Sequence, residues 1–219
     1  MKTKIGILGT GAVGRTIGSK LIELGYQVMM GSRTADNEKA TAWVQSHGTN
    51  ATNGTFADVA VFANIIFNCT KGEITLDVFN LAGIENFRQK TIVDISNPLD
   101  FSHGMPPSLF PQWSNTNSLG EEIQRLLPDA LIVKTLNMVN CEVMVDATRC
   151  GADATMFICG NDAAAKASVL HILQQFAWKD TIDLGDITAS RAMEMLLPIW
   201  LKTWMATGNG HFAFKIART

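Results

Sequence analysis

Lys4-Ile5-Gly6-Ile7-Leu8-Gly9-Thr10-Gly11-Ala12-Val13-Gly14 is the stretch on which the fold turns. Its first five residues read as a short apolar strand, and a helical period starts directly behind the glycines, with Val13, Ile17 and Leu21 on one face. The junction carries the spacing Gly9-x-Gly11-x-x-Gly14. Gly9 allows a tight turn, Gly11 lets the backbone approach a pyrophosphate, and Gly14 lets the helix pack closely on the strand. Gly18 lies one turn further along the same face and extends that packing. The helix start offers free N–H groups and the positive end of its dipole to phosphates. A glycine-rich turn without function is the competing reading, and the flanking strand and amphipathic helix weigh against it.

Outward from this turn the chain alternates β-rich runs with helical stretches. Strands are predicted at 3–8, 26–30, 64–69, 91–95, 131–136, 155–159, 181–184 and 211–216. Helices are predicted near 12–24, 36–47, 56–63, 74–82, 118–127, 161–176 and 188–206. The alternation predicts an α/β fold, a Rossmann-type, doubly wound, mainly parallel sheet with a small α/β C-terminal extension. The division expected is a dinucleotide-binding domain over 1–140 and an extension over 141–219 packed on the same unit. Residues 99–117, with Gly104, Pro106, Pro107 and Pro111, show neither period and read as a long functional loop. It is expected to wall an acceptor site, with Phe101, Phe110 or Trp113 able to stack on a ring. Ser118-Leu119-Gly120-Glu121 then reads as a capping box. The helix near 190–205 is apolar nearly all round, with Pro198 as a kink, and suits a core or a homodimer interface.

The end of the second strand selects the nucleotide. A site for NAD places an acid there to bond the ribose hydroxyls. Here the sequence is Met30-Gly31-Ser32-Arg33-Thr34. Ser32, Arg33 and Thr34 donate hydrogen bonds to a 2′-phosphate that a carboxylate would repel, so the expected cofactor is NADP(H). The glycine turn contributes Gly9, Thr10, Gly11, Ala12, Val13 and Gly14. Ligands of open parallel sheets bind beyond the carboxyl ends of the strands. Those ends supply Cys69-Thr70-Lys71, Ser96-Asn97-Pro98 and Asn137, in a row beside the nicotinamide half. Each also has a plainer reading: Cys69 a buried apolar residue, Lys71 a solvated lysine, Asn97-Pro98 a turn, Asn137 a partner of backbone.

Composition narrows the classes. The 219 residues are 47% hydrophobic and 17% charged, with formal net charge −2, enough for a core and without a basic block for nucleic acid. No run is long and apolar enough for a membrane span. Cys69, Cys141, Cys150 and Cys159 form no C-x-x-C pair and read as reduced thiols of a cytoplasmic protein. The four histidines show no metal-ligand spacing, and no metal is expected.

The chain resembles the coenzyme F420-dependent NADP oxidoreductase family along nearly its whole length. The resemblance rests on Ile7-Leu8-Gly9-Thr10-Gly11, Gly31-Ser32-Arg33, Asp94-Ile-Ser-Asn-Pro-Leu99, Leu127-Pro-Asp-Ala-Leu-Ile-Val-Lys134, Ile158-Cys-Gly160-Asn-Asp162, Asp183-Leu-Gly185 and Glu194-Met-Leu-Leu-Pro198. The same segments are similar to the NADPH-binding part of membrane metalloreductases. The resemblance implies NADP contacts from Thr10, Gly11, Ala12, Val13, Ser32, Arg33 and Thr34. It also implies hydride transfer to a ring acceptor, coenzyme F420, FMN or FAD, without a catalytic acid or base. Two rivals stay open: a non-catalytic NADP(H) sensor, and a 6-phosphogluconate-dehydrogenase-like or imine-reducing enzyme. The second would need a longer helical domain than the roughly 80 residues after Asn137 supply.

Overall fold

The computed structural model describes residues 3–151 and 153–218. In chain order the strands are β1 Lys4–Leu8, β2 Gln27–Ser32, β3 Ala51–Thr55, β4 Ile65–Asn68, β5 Thr91–Asp94, β6 Leu99–Asp100, β7 Ser108–Leu109, β8 Leu131–Thr135, β9 Thr155–Cys159 and β10 Asp180–Asp183. The α-helices are α1 Ala12–Glu23, α2 Glu38–Gln45, α3 Phe56–Phe62, α4 Thr75–Ala82, α5 Leu119–Leu126, α6 Cys141–Met144, α7 Ala163–Gln175, α8 Ser190–Met195 and α9 Leu197–Thr207. Eight strands form one sheet in the order β10-β9-β8-β5-β4-β1-β2-β3. All neighbours are parallel except β8 and β9, which are antiparallel.

Apolar runs form the inner strands because both faces of the sheet are covered. Neighbouring residues of one strand point to opposite faces. Ile7, Phe67, Val93 and Val133 join Ile17, Leu21, Trp43 and Val169 in the core under α1, α2 and α7. Leu8, Ile66, Ile92 and Ile132 face the other way, onto Val59, Phe79 and Ile123 from α3, α4 and α5. The order reverses between β1 and β4, and the crevice above that switch point is where such sheets bind ligands.

Some elements depart from the sequence-based expectation. β3 carries no apolar run, since Ala-Thr-Asn-Gly-Thr is a half-exposed edge strand paired only with β2. Residues 211–216 are not a strand. β8 pairs only with Ile158 and Cys159 at the end of β9, so the start of β9 keeps a free edge, and the segment meets that edge without forming a ladder along it. At that edge Thr155 N donates to the Phe214 carbonyl (2.8 Å) and Ile216 N donates to Thr155 Oγ1 (3.1 Å). The helix expected over 188–206 is two, α8 and α9, with Pro198 in the first turn of the second. A proline ring there needs no N–H and ends the preceding ladder. The long loop holds the hairpin of β6 and β7 and a turn of 3-10 helix at Pro111–Trp113.

Ser118 caps α5 by accepting from Glu121 N (3.2 Å), but the box is half-formed. Glu121 turns instead to Arg191, through contacts of 2.8 and 2.5 Å. The reciprocal box forms at Thr55 and Asp58, at the start of α3.

Candidate functional site

The glycine turn has the shape its sequence implies. Gly9 has φ 111°, in a region closed to most side chains, and a Cβ there would sit 2.9 Å from the Cys69 carbonyl oxygen. A Cβ on Gly14 would meet the Gly9 carbonyl oxygen at 2.3 Å and Ile7 Cγ2 at 3.0 Å, so only glycine lets α1 seat on β1. Gly11 opens on free space and precedes α1 with no side-chain cap. The first N–H groups of the helix therefore face outward, the arrangement that binds anions. Gly18 admits the ring of Trp43, which donates from Nε1 to Ser19 Oγ at 3.0 Å.

At the end of β2, Ser32 is buried while Arg33 and Thr34 are exposed. Ser32 Oγ donates to the Thr34 carbonyl (2.5 Å) and accepts from Thr34 N (3.2 Å), closing the turn on itself. The Ser32 hydroxyl is thus engaged by its own loop, and Arg33 is the outward cation.

Beyond β4 and β5 the structure holds a polar network. Asn68 Nδ2 donates to Asp94 Oδ1 (2.8 Å), which also accepts from Ser96 N (3.1 Å) and Ser96 Oγ (2.7 Å). Asn68 Oδ1 accepts from Thr70 Oγ1 at 2.6 Å. Lys134 Nζ reaches Asp94 Oδ2 (2.7 Å), Glu194 Oε1 (2.8 Å) and the Ser96 carbonyl (2.6 Å). Glu194 in turn accepts from the N–H groups of Leu119 (2.9 Å) and Gly120 (3.0 Å) at the start of α5. Asp94, Lys134 and Glu194 are all buried, and such charges persist only when paired and hydrogen-bonded. Burial opposes the Lys134 charge, but the two carboxylates outweigh it and hold the ammonium above its ordinary pKa. Burial and the nearby Asp94 carboxylate keep Glu194 above the usual carboxylate range.

Sequence reading of the site missed Asn68, Lys134 and Glu194. Their signal was a single polar residue ending or interrupting a buried apolar run, as in Ile-Ile-Phe-Asn and Leu-Ile-Val-Lys. Cys69 has its thiol pushed up by burial and by Asp94, which removes it as a nucleophile. Lys71 is exposed and pairs with Glu73 at 3.6 Å.

Asn97 and Asn137 hold each other. Asn97 Nδ2 donates to the Asn137 carbonyl (2.8 Å), and Asn137 Nδ2 donates to Asn97 Oδ1 (2.9 Å) and the Met193 carbonyl (3.0 Å). These carbonyls can only accept, which fixes both amide orientations. Asn137 Oδ1 is left as a buried acceptor without a partner among the described residues. A buried acceptor in that state carries a desolvation cost of about 1–3 kcal/mol.

In front of the Asn97 turn lies a cavity of about 320 Å³, lined by Thr70, Lys71, Glu73, Ser96, Asn97 and Phe101 among others. It lies beyond the carboxyl ends of β4 and β5, on the β5 side of the switch point. A larger groove of about 760 Å³ runs along the flanks of α1 and α2 and includes none of the strand-end residues. Of the three aromatics expected in the loop, only Phe101 lines the cavity. Phe110 and Trp113 pack edge to face, 5.6 Å apart, and Trp113 rests on the core.

A doubly wound sheet with a glycine turn at its switch point is the architecture of a dinucleotide-binding protein of the Rossmann class. Comparison with known proteins narrows the class. The family model of coenzyme F420-dependent NADP oxidoreductases matches residues 4–98. A protein from Arthrobacter sp. FB24, proposed to be an F420-dependent NADP-reductase, is 48% identical, with a TM-score of 0.94 over 99% of this chain and 100% of that one. The chain belongs to this family. The F420-dependent NADP reductase of Methanocaldococcus jannaschii is 27% identical over 90% of both proteins. Human metalloreductase STEAP2 is 27% identical over 89% of this chain, which spans 36% of that protein's length. A reductive aminase from Aspergillus terreus in complex with NADPH shares the fold at a TM-score of 0.64 and 17% identity. No described helix is long and apolar enough to cross a membrane.

Proposed function

We propose that the chain moves a hydride between NADP(H) and a flat-ringed acceptor, a flavin or a deazaflavin of the coenzyme F420 type. The observation that carries this reading is the cavity in front of Asn97. It has room for part of a ring system and an exposed aromatic side chain, Phe101, at its rim. Among the described residues the only ionisable ones lining it are Lys71 and Glu73, which pair with each other. Ring-to-ring transfer asks the protein for stacking and alignment and not for a proton donor.

In this reading the N–H groups of Gly11, Ala12 and Val13 take the pyrophosphate, while Gly9, Thr10 and Gly14 shape the turn. Arg33 takes the 2′-phosphate with Thr34, and Ser32 holds their loop. Asn137 Oδ1 accepts from the nicotinamide carboxamide, which satisfies the orphan acceptor, and Asn97 and Pro98 hold Asn137 in place. Thr70 and Lys71, behind Cys69, wall the acceptor side, and Phe101 stacks on the acceptor. NADP(H), when bound, supplies or takes the hydride at nicotinamide C4.

The test is NADPH oxidation against a panel of deazaflavin, FMN, FAD and ferric chelates, with Phe101→Ala beside wild type. Turnover on a ring acceptor is expected, lowered about tenfold by Phe101→Ala through lost stacking, with NADPH affinity unchanged. Tight NADPH binding without turnover on any acceptor would replace this reading with that of a sensor.

A further inference from the structure

Arg15, in the first turn of α1, belongs to neither the glycine motif nor the loop after β2. Its Nη1 donates to the Thr10 carbonyl at 2.6 Å, across five residues. Its side chain lies on the groove flank of α1, beside Ser19, Trp43 and Glu142. The acids there are engaged by other cations: Glu23 by Lys20 (3.3 Å), and Glu142 and Asp146 by Arg149 (2.8 and 3.7 Å). The guanidinium is directed at the back of the glycine turn.

A trans peptide fixes what that contact does. The carbonyl of Thr10 and the N–H of Gly11 belong to one planar unit and point in opposite directions. Holding the carbonyl towards the groove turns the Gly11 N–H the other way, away from the groove, and Gly11 itself is uncrowded, since a Cβ there would meet nothing within 4 Å. A charged donor on the carbonyl also polarises the peptide and strengthens the N–H as a donor. Gly11 has no Cβ to restrain its own backbone, so without an anchor this peptide is free to turn.

We propose that Arg15 is a positioning residue for dinucleotide binding: it pins the Thr10–Gly11 peptide so that the Gly11 N–H is presented to the pyrophosphate. The proposal rests on the reading of the glycine turn as the phosphate site. It separates two roles of positive charge: Arg33 reads the 2′-phosphate, whereas Arg15 acts on the group that NADPH and NADH share.

The experiment compares Arg15→Met and Arg15→Lys with wild type. It measures dissociation constants for NADPH, NADH and 2′-AMP, which lacks the pyrophosphate, and records the Gly11 amide resonance without ligand. Arg15→Met is expected to weaken NADPH and NADH by the same factor, about tenfold, to leave 2′-AMP unchanged and to shift the Gly11 resonance. Arg15→Lys should restore part of the affinity. Unchanged dinucleotide affinity, an equal loss for 2′-AMP, or an unmoved Gly11 resonance would each overturn the proposal. If wild type itself bound neither dinucleotide, the reading of the turn would fall first; if wild type bound and Arg15→Met matched it, Arg15 alone would be dismissed.

Discussion

Arg33 stands at the turn after β2 with its side chain in solvent, and Ser32 beside it is turned inward onto Thr34. That division sharpens what each should do for nucleotide choice. A charge-assisted contact to a 2′-phosphate contributes about 1.5–3 kcal/mol. Arg33→Ala should therefore weaken NADPH by roughly 10- to 100-fold and hardly move NADH, read by titration of both nucleotides at fixed salt. Equal losses for both would make Arg33 structural. Ser32→Ala should cost less, since its hydroxyl is already used within the loop. Residues of this kind were legible in the sequence because their chemistry is local: a glycine spacing, or an acid missing where one would be needed. Asn137 was legible as a polar group ending a buried strand, but its partner was not. That partner is Asn97, forty residues away in sequence, and only the sheet brings the two amides together.

Elements meet at the Asp94–Lys134–Glu194 cluster, which ties β5, β8 and α8 to the start of α5. Taking one partner from such a group leaves a buried charge uncompensated, at about 3–5 kcal/mol. Lys134→Met should lower stability by that order, measured by urea unfolding, because two carboxylates would face each other across the vacated ammonium. Removing both Lys134 and Glu194 together should cost less than the sum of the single changes, since the pair would be deleted as a unit. An additive result would show that the two do not share their energy. Sequence patterns located most elements here because alternating apolar and polar runs are set by burial on two faces. They missed β3, an edge strand with little to bury, and read a strand into residues 211–216. Phe212 and Phe214 in that segment are apolar for another reason. Phe212 stacks on Trp200 at 5.2 Å, so the segment covers α9 and does not extend the sheet.

For the whole molecule, acid stability depends on two buried carboxyls, Glu121 and Glu194, and association on the apolar side chains left at the surface. Burial opposes ionisation of Glu121, but hydrogen bonds from Arg191 and Ser118 hold it below its ordinary value of 4.5. A carboxyl depressed in the folded state stabilises above its unfolded pKa and loses that contribution as pH falls through the folded one. The acid limb of unfolding should thus be shallower in Glu121→Gln than in wild type, with urea midpoints measured from about pH 3 to pH 6. Glu194, shifted upward, acts in the opposite sense: its contribution is complete at low pH and declines as pH rises. We expect association through α9. Leu197, Trp200 and Leu201 face the core, whereas Ile199 (52% exposed), Trp204 (41%) and Met205 (52%) face outward with Met195 of α8 (41%). An aromatic and three long apolar side chains gathered at two adjoining helices is more than scattered surface apolarity, and such patches mark contact surfaces. A second copy of the chain is the occupant we expect, because a two-fold axis lets the same helix cover itself. Light scattering should give twice the chain mass at micromolar concentration. Trp204→Glu should shift the mass to that of one chain while leaving NADPH affinity unchanged, since α9 contributes no residue to the glycine turn or the loop after β2. A single-chain mass for wild type across that range would mean that α9 is covered by something other than its own copy, or by nothing.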